Sequence, residues 1–157
     1  MDNNNNNNSK VAIVTRASSG IGYATSLALS KAGIKIAIGA RRMDRLQDLE
    51  EQIVKNDDEL GRGVEEEEEE EIFIQRKLDV ASKSDCDSFV NTVVRRWGRV
   101  DILINNAGLM PLSYFKNCKI EEWEQMIEVN IKGVLCITEP RKTFLGKKNI
   151  ILLLIFT

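Results

Sequence analysis

Three features of the sequence predict a doubly wound α/β fold, a parallel sheet covered by helices on both faces. Apolar runs of strand length alternate four times with stretches of helical periodicity. Those strand runs are almost wholly apolar rather than alternating, as strands buried on both faces must be. A small-residue turn, Thr15-Arg16-Ala17-Ser18-Ser19-Gly20-Ile21-Gly22, links the first strand to the first helix. At 157 residues the chain has length for one domain with one real core.

Residues 10–15 (KVAIVT) read as the first strand, short, β-branched and apolar. Residues 21–32 follow as a helix with Ile21, Ala24, Thr25, Ala28 and Leu29 expected on the inward face, stopped by Gly33. Residues 35–40 (KIAIGA) form a second strand, and 44–55 a helix with Leu46, Leu49, Ile53 and Val54 inward. A third strand is expected over 72–80 (IFIQRKLDV). A third helix over 84–97 is capped by Ser84, lined by Phe89, Val93 and Trp97, and ended by Gly98. Residues 100–105 (VDILIN) make the fourth strand. A long amphipathic helix over 120–136 carries Trp123, Met126, Ile127, Ile131, Val134 and Leu135. Right-handed crossovers place all strand C-termini on one edge, where sheets of this kind take ligands.

Composition removes several function classes. The chain has no histidine, hence neither the commonest general acid/base nor the commonest metal ligand, and no metal site is expected. Cys86, Cys118 and Cys136 are an odd count at wide spacing, which reads as free thiols in a reducing compartment. The net charge of −2 owes its sign to the glutamate run 65–71; without it the chain is mildly basic. That balance suits an anionic small ligand and is too diffuse for nucleic acid. Residues 1–9 read as a disordered asparagine-rich tail, and the glutamate run as a solvated surface insertion. No signal peptide and no apolar run of membrane length are found, so a cytoplasmic protein without a membrane partner is expected.

The turn after the first strand is suited to a dinucleotide. Small residues let the backbone approach a pyrophosphate, whose charge the following helix N-terminus favours. TRASSGIG resembles the TGxxxGxG cofactor loop of the classical short-chain dehydrogenase/reductase family. Asn105-Asn106-Ala107-Gly108 is similar to that family's NNAG motif. Leu78-Asp79-Val80 resembles its adenine-binding Asp-Val, and Asn130 in EVNIKG stands where its active-site asparagine lies. Residues 97–101 (WGRVD) resemble the lead-in to the motif-bearing strand, and the likeness covers about residues 10–138.

The resemblance implies a Rossmann domain over 10–138, incomplete on its C-terminal side. It implies hydride transfer between a nicotinamide cofactor and a carbonyl or alcohol. Thr15 and Gly20 belong to the loop, and Ser18, Ile21 and Gly22 would line the pyrophosphate. Asp79 and Val80 would meet the adenine, and Asn106, Ala107 and Gly108 the ribose edge. In this family Asn105 and Asn106 also tie strands together. The helix 120–136 would pack in a homo-oligomer. At the end of the second strand stand Arg41 and Arg42, where an NAD enzyme wants an acid for its ribose 2′-OH. Guanidinium groups suit a 2′-phosphate, so NADP(H) is expected over NAD(H).

Two departures matter. Arg16 stands at the loop's first glycine, where a side chain crowds the ribose and a positive φ would add strain of about 1–2 kcal/mol. Weakened cofactor binding is the expectation, unless Arg16 swings outward to the 2′-phosphate. The family's serine and Tyr-x-x-x-Lys pair are also missing. The two tyrosines, Tyr23 and Tyr114, are followed four residues later by Leu27 and Cys118, and Ser113 stands in the loop after the NNAG motif. Residues 139–157 diverge, with a fifth strand conceivable over 149–156. The expectation is a truncated family member, inactive alone. The alternatives are a non-catalytic NADP(H)-binding half-domain and a non-functional product.

Overall fold

The computed structural model describes residues 9–59, 72–112, 114, 116, 119–139 and 151–154. Expectations for the asparagine tract, the glutamate run, Ser113, Cys118 and most of the segment after Glu139 lie outside the described residues.

Among the described residues five strands form one parallel sheet: β1 (Val11–Thr15), β2 (Lys35–Ala40), β3 (Phe73–Lys77), β4 (Ile102–Asn105) and β5 (Ile151–Leu154). Their spatial order is β3-β2-β1-β4-β5. The winding runs outward from β1 through β2 to β3, then returns to β4 on the other side of β1. The order therefore reverses between β1 and β4, which pair Ala12 with Ile102 through Val14 with Ile104.

Alternation along each strand supplies two cores. Val11, Ile13 and Leu103 face α3 (Lys83–Trp97), packing on Phe89, Val90 and Val93. Val14, Ile36, Ile38 and Ile104 face the other way, onto Leu46, Leu49 and Ile53 of α2 (Asp44–Glu59). Each of these fully buried side chains contributes roughly 1.5–3 kcal/mol, as an upper estimate. The doubly wound sheet is thus a direct consequence of strands apolar on both sides.

The expected inward face of α1 (Gly20–Lys31) is corrected by the structure. Gly22, Ser26 and Ser30 are buried, whereas Ile21, Ala24 and Ala28 are exposed. Small residues at every fourth position let the helix lie close on the sheet. The Ser26 hydroxyl is satisfied there by donating to the Gly22 carbonyl at 2.8 Å. Tyr23, Leu27 and Leu29 pack beside this stripe. The cap of α3 is also corrected. Ser82, not Ser84, takes the Asp85 N–H, and the helix begins at Lys83. Gly98 ends it with φ +70, a left-handed conformation that glycine adopts without a Cβ penalty.

The long fourth helix is composite: α4 (Ile120–Met126), a π-helical stretch (Ile127–Lys132) and α5 (Gly133–Thr138). Its buried side is Gly133 and Ile137, with Val129 and Cys136 packed against the same core. A Cβ on Gly133 would come within 2.8 Å of Val80 Cγ2, so this face must be slim. The large apolar residues Trp123, Ile127, Ile131 and Leu135 are all exposed.

β1 and β4 are joined at both ends. At the start, the Val11 N–H donates to Asp101 Oδ2 at 2.9 Å and the Asp101 N–H to the Val11 carbonyl at 2.8 Å. Arg99 holds that carboxylate through Nε and Nη2, at 2.8 and 2.6 Å. The other end belongs to the site. No described helix is long and apolar enough to cross a membrane.

Candidate cofactor site

The ends of β1 and β4 are fastened by Thr15 and Asn106. Thr15 Oγ1 accepts from the Asn106 N–H at 3.0 Å and the Ala107 N–H at 2.9 Å, and donates to the Ile104 carbonyl at 3.4 Å. The Asn106 amide donates to the carbonyls of Thr15 and Arg16 at 3.3 and 3.1 Å. Thr15 and Asn106 are themselves buried, so they form the floor of the site. Gly22 sits against the same floor. A Cβ there would lie 2.5 Å from Asn106 Nδ2 and 2.7 Å from the Arg16 carbonyl oxygen. Only glycine lets α1 start this close to the strand ends.

Above the floor opens a crevice of about 420 Å³. Ser18 lines it from the loop, Arg41 and Arg42 from the end of β2, and Asp79 and Val80 from the end of β3. Ala107 and Gly108 close it on the β4 side. Seven of the twelve residues expected to hold cofactor therefore share one cavity. Thr15, Gly22 and Asn106 lie beneath it, and Gly20 and Ile21 stand at the exposed start of α1. Asn105 is buried, and its Nδ2 finds no partner among the described residues.

Local structure fixes the walls. Asp79 Oδ1 accepts from the Ala81 N–H at 3.0 Å, and the Asp79 N–H donates to Asp85 Oδ2 at 3.2 Å. The cap of α3 thereby orders the loop that carries Asp79. The N-cap of α1, Ser19, makes no side-chain capping bond, and no acid stands in the first turn. That end keeps the positive end of a helix dipole unopposed.

Asn130 lies in the π-helical stretch. Its Oδ1 accepts from the Leu109 N–H at 2.9 Å and its Nδ2 donates to the Leu109 carbonyl at 2.8 Å. Both ends of the amide are committed to the backbone that follows Gly108. Leu78, Leu109 and Val129 also line the crevice and were missed in the sequence, although each adjoins a residue that was singled out.

Arg16 has φ +51, the only positive φ among the described non-glycine residues. Its Nη1 donates to the Gly108 carbonyl at 2.8 Å, across the crevice mouth. Tyr23 packs beside α2, and Tyr114 is exposed with the Lys116 ammonium over its ring face, 5.5 Å from the centroid. That lysine meets the ring rather than the hydroxyl. Burial pushes the Cys86 thiol up to about 12, with Cys136 adding to the effect, so the thiol is held protonated. No group of three or more His, Cys, Asp or Glu able to hold a metal gathers among the described residues.

The family model described as short chain dehydrogenase matches residues 10–147. An uncharacterized oxidoreductase of Listeria monocytogenes is 41% identical over 142 residues, covering 90% of this chain and 52% of the relative. The Thermococcus sibiricus alcohol dehydrogenase complexed with 5-hydroxy-NADP superposes with a TM-score of 0.77 at 32% identity, covering 92% of this chain and 57% of that one. The actinorhodin polyketide ketoreductase with NADPH gives 0.73 at 31% identity, covering 89% and 48%. The chain spans about half the length of the curated relatives it matches. With its motifs in order on the matching fold, the chain belongs to the short-chain dehydrogenase family.

Proposed function

We propose that this chain is the cofactor-holding part of a short-chain oxidoreductase acting on a small carbonyl or alcohol. We further propose that it prefers NADP(H) to NAD(H), and that these 157 residues bind cofactor without carrying the proton transfer. The observation behind the preference is charge. Arg41 and Arg42 stand on the crevice wall at the end of β2, where a ribose-binding acid would stand for NAD. The relatives solved with 5-hydroxy-NADP and NADPH support the same choice.

The residues present fit the dinucleotide. Gly22 leaves room that a Cβ would fill, and the N-terminus of α1 favours a pyrophosphate. Leu78 and Val80 offer apolar surface to a flat base, with the Asp79 carboxylate beside them to accept from an amino group. A bound nicotinamide would supply the hydride donor or acceptor. Asn130 would hold the Leu109 backbone, shaping the wall nearest the substrate without moving a proton itself. Leu27 and Cys118 stand four residues after Tyr23 and Tyr114, so neither tyrosine opens the Tyr-x-x-x-Lys pair that would supply the substrate oxygen with its acid.

Calorimetric titration with NADP⁺ and NAD⁺ tests the cofactor claim. NADP⁺ is expected to bind about tenfold or more tightly, the scale of a charge-assisted pair, and Arg41→Ala/Arg42→Ala to shrink the difference by weakening NADP⁺ selectively. Equal affinities in the unmodified protein would refute the preference. NADPH oxidation with a generic carbonyl is expected to stay at background, and carbonyl-dependent turnover would refute the non-catalytic reading. The exposed stripe Ile120, Trp123, Ile127, Ile131 and Leu135 favours a homo-oligomer through helix 120–136. Light scattering that finds only monomer at tens of micromolar, about the working range for such an interface, would remove that part.

A further inference from the structure

We propose that Arg16 is a displaceable latch that sets cofactor selectivity, released by a phosphate monoester on the adenosine ribose. The proposal rests on the dinucleotide reading above and deepens it.

The geometry is specific to this residue. Arg16 follows β1 and Gly108 lies three residues beyond the end of β4, so the Nη1 contact to the Gly108 carbonyl joins the two strands at the reversal of the sheet order. Both residues line the crevice. A ligand extended from the β2 wall to the β4 wall must pass through that line and displace the guanidinium. The acceptor of this 2.8 Å bond is a neutral carbonyl, so a charged acceptor is the stronger partner for the guanidinium.

The better partner is an anion. Arg41 and Arg42 line the same cavity, and β2 is the immediate neighbour of β1, with Gly39 paired to Thr15. A phosphate at the end of β2 gives the displaced Arg16 a charge-assisted pair alongside two more guanidinium groups. A bare ribose hydroxyl gives it none. Both cofactors break the contact to Gly108, but only the phosphorylated one replaces it. Selectivity then comes partly from a penalty on the wrong ligand, beyond any attraction for the right one. The backbone adds a second sign that the side chain, not the position, is being used. φ +51 is a conformation that glycine holds freely and arginine only at a cost.

The test is titration of the full chain with NAD⁺ and NADP⁺, in the unmodified protein, Arg16→Gly, Arg16→Asn and Arg41→Ala/Arg42→Ala. Asparagine tolerates the left-handed conformation and lacks the guanidinium, so it guards against a purely backbone effect. Both Arg16 variants are expected to tighten NAD⁺ by about tenfold, the scale of one lost hydrogen bond to a charged group, with NADP⁺ changed by less than about threefold. Equal factors for the two ligands would make Arg16 a simple obstruction, and no change for either would make it idle. Either result overturns the latch. If the Arg41/Arg42 variant still loses NADP⁺ selectively in those cases, the cofactor reading stands alone. If neither dinucleotide binds any of the four proteins at millimolar concentration, both fall.

Discussion

Replacing Gly22 with alanine places a methyl group where the structure has no room. The new Cβ would lie 2.5 Å from Asn106 Nδ2, 2.7 Å from the Arg16 carbonyl oxygen and 3.2 Å from Ala17 Cα. Two of these are backbone atoms, and the third is a buried amide that fastens β4 to β1. Overpacking of this kind costs about 1–3 kcal/mol. Turning the Asn106 amide from its two carbonyls adds about 1–3 kcal/mol. Alanine returns at most about 1 kcal/mol of helix propensity, and less in a first turn. The net is a destabilisation of about 1–6 kcal/mol centred near 3, or a Tm lower by roughly 6–12 °C at that centre in a chain of this size. Gly20→Ala is the control. Gly20 has φ +59 but nothing within 4 Å of a built Cβ, so it carries only conformational strain of about 1–2 kcal/mol. Urea unfolding followed by circular dichroism measures both. A Gly22 variant no less stable than the Gly20 variant would refute the argument that close approach, rather than backbone conformation, requires glycine at position 22.

Thr15→Val is nearly isosteric and removes the acceptor shared by the Asn106 and Ala107 N–H groups. The Asn106 N–H keeps the Ile104 carbonyl at 3.2 Å, so the Ala107 N–H is the one orphaned, at an expected cost of about 1–3 kcal/mol, and stability within about 0.5 kcal/mol of the parent would show that the floor of the crevice does not depend on this hydroxyl. The raised Cys86 pKa fixes a pH dependence. Only the unfolded state releases this proton between about pH 9 and 12, so the thiol's contribution to stability is intact below pH 9 and lost as pH rises towards 12. In a Cys118→Ser/Cys136→Ser background, a thiol reagent at pH 8 is therefore expected to label Cys86 only after denaturant is added, and fast labelling of the native protein would contradict the burial.

The parallel sheet was legible because Val11, Ile13, Ile36, Ile38 and Leu103 are apolar on both sides of their strands, a signal that survives without any contact information. Helix faces were read less well, for a physical reason. The buried stripe of α1 is Gly22, Ser26 and Ser30, which a search for large apolar residues cannot find. On the composite helix the large apolar residues face outward, because the inward side must admit Val80 against Gly133. Ser84 stands at the start of the apolar period, where a serine reads as a cap. The capping geometry at Ser82 depends on the Asp85 N–H three residues on. The crevice residues at the strand ends were legible from motif spacing. The division between floor and wall was not, since Thr15 and Arg41 look equally polar until one is buried and the other exposed. Nor does sequence give the π-helical stretch that brings both amide atoms of Asn130 onto Leu109.

The double fastening of β1 also orders events in time. β1 can pair with β2 as soon as residue 40 is available. Its first residue takes a partner 90 positions later, at Asp101, and its last takes one 91 positions later, at Asn106. Closing a loop of that length costs entropy before the contacts it brings can offset it. Early in synthesis β1 is therefore a strand paired on one edge, with both ends loose. The crevice is made of what those late partners carry, Ala107 and Gly108 facing Arg16 and Ser18. It comes into existence only when the sheet closes, so a ligand of this crevice would stabilise the finished molecule but would have nothing to hold while the chain is finding it.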